Sequence, residues 1–134
     1  MAKSEKIELD VRGQITAPLG GAEYVLRPSE ESILAIEQET GLSLFDLAGL
    51  AANGRLTLAQ MGVCVSAMMR AHGKANPDDP NRTTYLAANP EKIRGLIYEA
   101  GTPRIMARLA VILSGAVAGG YTSQGEVKAA TGTK

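Results

Sequence analysis

Apolar and polar residues alternate near the N-terminus and recur at helical spacing through most of the remaining chain. Ile7, Leu9 and Val11 alternate with Glu8, Asp10 and Arg12, the pattern of a half-buried strand. A second run from Gln14 to Pro18 puts Ile15 and Ala17 on one face. Gly20-Gly21 then signals a hairpin turn into Ala22, Tyr24 and Leu26, which alternate with Glu23, Val25 and Arg27. Pro28 has no amide to donate to a ladder and ends that strand. Pro18 suits an edge strand, leaving the other edge to be covered by a helix or by a partner.

Helices follow at once. Ser29 is a preferred N-cap, Glu30 and Glu31 put negative charge in the first turn, and Gly41 closes the helix. Ser43 restarts the pattern with Asp46 three residues on, and Asn53-Gly54 ends it. Thr57 and Gln60 make a capping box for a third helix, with Leu56 and Met61 placed as a hydrophobic staple. Its face reads Leu58, Met61, Val65, Met68 and His72, with Cys64 and Met69 beside it and Gly73 as the stop. Lys74 to Asn89 is rich in Pro, Asp and Asn and reads as a mobile surface loop with a short helical turn near Tyr85. Asn89-Pro90 opens a fourth helix with Ile93, Leu96, Ile97 and Ala100 as its apolar face. Thr102-Pro103 opens a fifth that buries Ile105, Met106, Leu109, Ile112, Leu113 and Ala116.

The expected fold is therefore α+β and mainly α, an N-terminal β-hairpin packed on a bundle of about five helices. Residues 1–121 form one domain, and residues 122–134, which lack apolar periodicity, read as a flexible C-terminal tail. The chain of 134 residues is long enough for a core without metal or disulfide staples.

Charge narrows the function classes. Fourteen basic residues balance fourteen acidic ones, which removes the driving force nucleic acid binding needs and disfavours a small DNA-binding regulator. Near-neutral proteins also associate readily, so homo-oligomerisation stays open. The single Cys64 forms no internal disulfide. With no signal segment at its start, the chain reads as cytosolic and reduced. The apolar run Leu109 to Tyr121 is too short to span a membrane, which takes about 20 residues.

Candidate chemistry is sparse. Gly20-Gly21 lacks the following helix and lysine of a phosphate loop. His72 has no partner in sequence and reads as a histidine at a helix end, and with Cys64 it does not make a zinc site. Asp78-Asp79 lacks the ligand spacing of a calcium loop. No enzyme activity and no cofactor is expected. Apolar surface is the better lead. Met61 and Met68 read as core filling, whereas Met69 reads either way, because methionine also lines surfaces that accept helical partners. The second helix is apolar nearly all round: Leu44, Leu47 and Ala51 on one face, Phe45 and Ala52 on another, Leu50 beside Asp46. Such a helix is central to a core or half of an interface. The candidate partner-binding residues are Phe45, Leu50 and Met69.

The run Tyr24-Val25-Leu26-Arg27-Pro28-Ser29, then Ala35-Ile36-Glu37, Gly41, Leu44 and Leu47, resembles the opening of the small tail assembly chaperones of siphophage-like tails, particularly the family found in gene transfer agents and prophages. The Gly54 to Leu58 step into the third helix and the helical pair split at Glu99-Ala100-Gly101 extend the likeness over Gly13 to Gly120. Lys74 to Pro80 and the stretch after Tyr121 depart from it. The resemblance implies a non-enzymatic chaperone of the host cytoplasm. It would bind the tape-measure protein, with tail tube protein as a further partner, and be absent from the mature particle. The alternative is a structural tail or head-tail connector subunit retained in the particle.

Overall fold

The computed structural model describes residues 14–128 as a two-stranded antiparallel hairpin followed by six helices. Strand β1 (Ile15–Leu19) pairs with β2 (Ala22–Leu26) in the register Ile15 to Leu26, Ala17 to Tyr24 and Leu19 to Ala22. Gly20 and Gly21 both have positive φ, 57° and 83°, the backbone a tight hairpin needs and that L side chains resist. Ile15, Ala17 and Leu19 all point into the core. The expected strand at Ile7 to Val11 lies outside the described residues.

Most helix starts are where the capping residues place them. The side chains of Ser29, Ser43, Thr57 and Asn89 each accept from a backbone N–H in the first turn of α1 (Glu30–Thr40), α2 (Leu44–Ala52), α3 (Leu58–Ala75) and α5 (Pro90–Ala100). In α3 the box is reciprocal: Gln60 N donates to Thr57 Oγ1 at 3.0 Å and Thr57 N to Gln60 Oε1 at 2.8 Å. The short α4 (Arg82–Leu86) occupies the expected turn near Tyr85. The last helix, α6 (Thr102–Val117), begins directly after Gly101 without a side-chain cap, so Thr102 is its first residue rather than its cap.

Helix α3 is the axis of the molecule. Every residue from Met61 to Met69 is buried, and the helix packs against α1, α4, α5, α6 and β2. Small residues allow this. A Cβ on Gly62 would lie 2.8 Å from the Pro90 carbonyl oxygen, so α5 approaches where a side chain is missing. Gly73 does the same for α4, since a Cβ there would meet Tyr85 and Leu86 at 2.9 and 3.0 Å. Gly73 is therefore not the expected stop: α3 runs on to Ala75, and this glycine serves packing. The hairpin is joined to the axis by Arg27 N donating to the Met68 carbonyl at 3.1 Å, and Val25 N donates to the Tyr85 hydroxyl at 2.8 Å. The open edge of β2 is thus covered from within the chain. α2 lies on α6 instead, burying Leu47, Ala48 and Ala51.

Two segments differ from the sequence reading. The stretch after Ala75 is tied down rather than loose: Asp79 Oδ2 lies 3.0 Å from His72 Nε2, Asn76 Nδ2 donates to the His72 carbonyl, and Arg82 Nε donates to the Gly73 carbonyl. The chain after Tyr121 folds back as well. Tyr121 bridges Val127, Ser123 O accepts from Glu30 N at 2.9 Å, and Gln124 O accepts from Arg27 Nε at 2.7 Å. The free tail expected from Thr122 is therefore a docked turn as far as Lys128. Polar contacts and a glycine hold it, and neither leaves a hydrophobic period to read. Gly125, at φ 89°, is buried against Arg27 and Ser29, where a Cβ would approach Arg27 Cγ and Ser29 N at 2.8 Å.

Two stability outcomes follow from these contacts. Thr57→Ala should cost about 1 kcal/mol in urea unfolding, and an unchanged midpoint would place the start of α3 elsewhere. Gly125→Ala should lower the melting temperature by several degrees, on the order of 1 kcal/mol or more. Equal stability of that variant and the wild type would show that the turn is not docked in solution.

Candidate functional site

The described surface carries few large apolar side chains, and these mark the candidate site. Phe45, the only phenylalanine, is 74% exposed on α2, opposite the buried Leu47, which is 0% exposed. Leu50 is half-buried and packs against the core, so it contributes at most a shared edge. Met69 is 1% exposed, so it belongs to the core and not to the expected partner contact. It sits on the flank of the apolar stripe of α3, but the helix is buried all round from Met61 to Met69, so that flank is core too. The structure also adds two residues that periodicity passed over. Leu34 on α1 is 56% exposed and Tyr98 on α5 is 73% exposed. Each stands beside, not on, the inward stripe of its helix, marked by Ile33 and Ile36 in α1 and by Ile93 and Ile97 in α5.

Leu34 borders a groove of about 300 Å³ lined by Pro28, Glu30, Ile33, Leu44, Ala116, Tyr121, Thr122 and Ser123. Four parts of the chain make it: α1, the start of α2, the end of α6 and the docked turn. Tyr121 is set by close packing, because a Cβ on Gly115 would meet its hydroxyl at 3.0 Å. Burial also pushes the Tyr121 phenol above its ordinary value, so it stays a neutral wall. The angle between α1 and α2 is braced by Glu37, whose Oε2 accepts from Leu44 N at 2.8 Å.

The polar cluster around His72 has a structural use. His72 is buried, its Nε2 3.0 Å from Asp79 Oδ2 and its Nδ1 3.2 Å from Asn76 Nδ2, with the Tyr85 ring tilted against it at a centroid distance of 4.4 Å. Asn76 donates to Nδ1, which assigns the ring proton to Nε2 and makes it a donor to Asp79. Both ring nitrogens are thereby engaged with the loop. An open cleft of about 480 Å³ lies beside them, lined by Asn76, Pro77, Asp78, Asp79 and Pro80. The Asn81 backbone amide, then the His72 ring, holds the Asp79 carboxyl below its ordinary value. Burial pushes the Cys64 thiol up to about 12, which leaves it an unreactive core group. Among the described residues no cluster of three or more His, Cys, Asp or Glu is placed to hold a metal, and no helix is long and apolar enough to cross a membrane.

The geometry is that of a mainly helical α+β domain with several large apolar side chains turned outward. The chain belongs to the phage tail tube protein family GTA-gp10, whose model matches residues 12–119. The family membership supports the expected phage or gene transfer agent tail association; its description is of a tube protein, not of an assembly chaperone. No curated protein and no solved structure matched the chain.

Two outcomes test these placements. Phe45→Ala should leave stability within about 0.5 kcal/mol of wild type, whereas Leu47→Ala should cost about 2 to 5 kcal/mol through the cavity it opens. Equal losses would mean that both faces of α2 are core. Asp79 should stabilise the fold fully above the ordinary carboxylate pKa, with that share lost as pH falls through its lower folded value. A scan of melting temperature against pH should therefore show a shallower acid limb below about pH 4 for Asp79→Asn than for wild type. Superimposable limbs would remove Asp79 from the account.

Proposed function

We propose that this chain is a non-enzymatic structural subunit of a phage-like tail, retained in the finished particle and acting through protein contacts. Family membership supplies the tail context. The observation that carries the role is Phe45, a large apolar side chain held 74% exposed on a helix whose opposite face is locked into the core. Single apolar residues are common on monomer surfaces, but an exposed aromatic held on a helix packed into the core is the kind of anchor that concentrates binding energy.

A second reading, a tail assembly chaperone that captures the tape-measure protein in the host cytoplasm and leaves before maturation, draws on a different observation. The described sheet has only two short strands, and its β2 edge is covered by Tyr85. Of the large apolar residues exposed among the described residues, all but Val127 are on helices, with Leu34, Phe45 and Tyr98 the most exposed, which favours partners that dock helix to helix. Purified particles separate the two. Mass spectrometry should find this chain in fixed stoichiometry with the tube, and its absence from particles that are otherwise complete would overturn the subunit reading in favour of the chaperone.

A further inference from the structure

Between Arg27 and Arg55 every ionisable side chain is acidic: Glu30, Glu31, Glu37, Glu39 and Asp46, with no lysine or arginine, although the whole chain is neutral. Those carboxylates sit on α1 and α2, the helices that also carry Leu34, Leu44 and Phe45. Two of them are answered within the chain. Lys74 Nζ lies 3.3 Å from Glu31 Oε2, and Glu37 caps α2. Glu30, Glu39 and Asp46 are exposed and form no ion pair among the described residues. Glu30 is also the one charged residue lining the groove of about 300 Å³, whose other walls are mostly apolar. An apolar slot with the unpaired Glu30 carboxylate on its wall, on a stretch of chain without bases, disfavours anionic occupants such as nucleic acid or anionic lipid. A second copy meeting the same face about a two-fold axis would set carboxylates against carboxylates.

We propose that the groove walled by Pro28, Ile33, Leu34, Leu44, Ala116 and Tyr121 is the docking site for an amphipathic helix of a partner protein. The apolar stripe of that helix enters the groove, and its lysines or arginines meet the carboxylates of α1 and α2. This rests on the tail-protein reading for its biological partner, but the chemistry stands on the groove itself. A helix presents apolar residues at spacings of three and four, with basic residues free to flank them. The groove volume is at the lower end of the roughly 300–1,000 Å³ usual for binding pockets, which suits one or two inserted side chains better than a whole folded surface.

The test uses the full chain and two fluorescein-labelled synthetic helices of about 18 residues, five turns long. They share one leucine stripe and differ only in carrying lysine or glutamate on the other face. The lysine helix should bind, and its affinity should drop about tenfold or more between about 50 mM and about 500 mM salt. The glutamate helix should bind at least about tenfold more weakly. Leu34→Glu, at an exposed position that leaves the core intact, should cost about tenfold or more in affinity with an unchanged melting temperature, and Glu30→Lys should weaken the lysine helix selectively. Equal binding of both helices, or undiminished binding to Leu34→Glu, overturns the proposal. A dimer of the free protein that Leu34→Glu dissolves also overturns it, by putting a second copy in the groove. Because the peptide assay contains no tail protein, its failure beside stoichiometric incorporation into particles removes the groove and leaves the tail role standing. The reverse pattern removes the tail role alone.

Discussion

Enclosure of α3 is the constraint on which the rest of the structure depends. Nine consecutive buried residues, Met61 to Met69, leave the middle of that helix no solvent face, so hairpin and helices must be laid round it. Alanine, glycine and serine make this tolerable. Ser66 keeps its hydroxyl satisfied by donating to the Val63 carbonyl at 3.3 Å, and Gly62 and Gly73 let neighbouring backbone and side chains come close. Close-packed interiors gain their cohesion from many such short contacts, and they tolerate added volume poorly.

A molecule organised this way has its interaction surface decided by subtraction. The faces turned toward α3 are spent on the core, as are Met61, Met68 and Met69, which would otherwise suit adaptable binding. The outward apolar side chains stand on the far sides of the surrounding helices, Leu34 on α1, Phe45 on α2 and Tyr98 on α5, and α2 leans on α6 rather than on the axis. Phe45 and Leu47 stand two residues apart on α2, one outward and one inward. The even balance of charge over the chain conceals a local excess on the same side, since the acidic residues of α1 and α2 are offset by bases elsewhere. Net charge alone therefore says little about what this face attracts.

Local chemistry was the legible part of the sequence. Ser29, Ser43, Thr57 and Asn89 each cap the helix they announce, because a cap is made by neighbours a few residues away. The α+β hairpin-and-helix class was legible for the same reason. What could not be read was anything decided across the fold. Gly73 looks like a terminator until Tyr85 and Leu86 are seen packed on it. Met69 looks half-exposed until helices are found on both its sides, and the turn after Tyr121 is held by hydrogen bonds to residues near the other end of the chain. Of the three candidate contacts, Phe45 is displayed, Leu50 is shared with the core and Met69 is inside it.

Arg27 carries a consequence for the order of events during synthesis. Its side chain leaves β2 nearly buried and finds its backbone acceptor in Gln124, 97 residues later. A ribosome releases the hairpin, the caps and the axial helix long before it supplies that acceptor. For most of translation the guanidinium must stay hydrated, and the corner between β2 and α1 stays unfinished. The corner closes only once Gln124 is available, and its closing completes one wall of the groove beside Leu34. The wall made by Tyr121, Thr122 and Ser123 is thus the last part of the groove to be set in place.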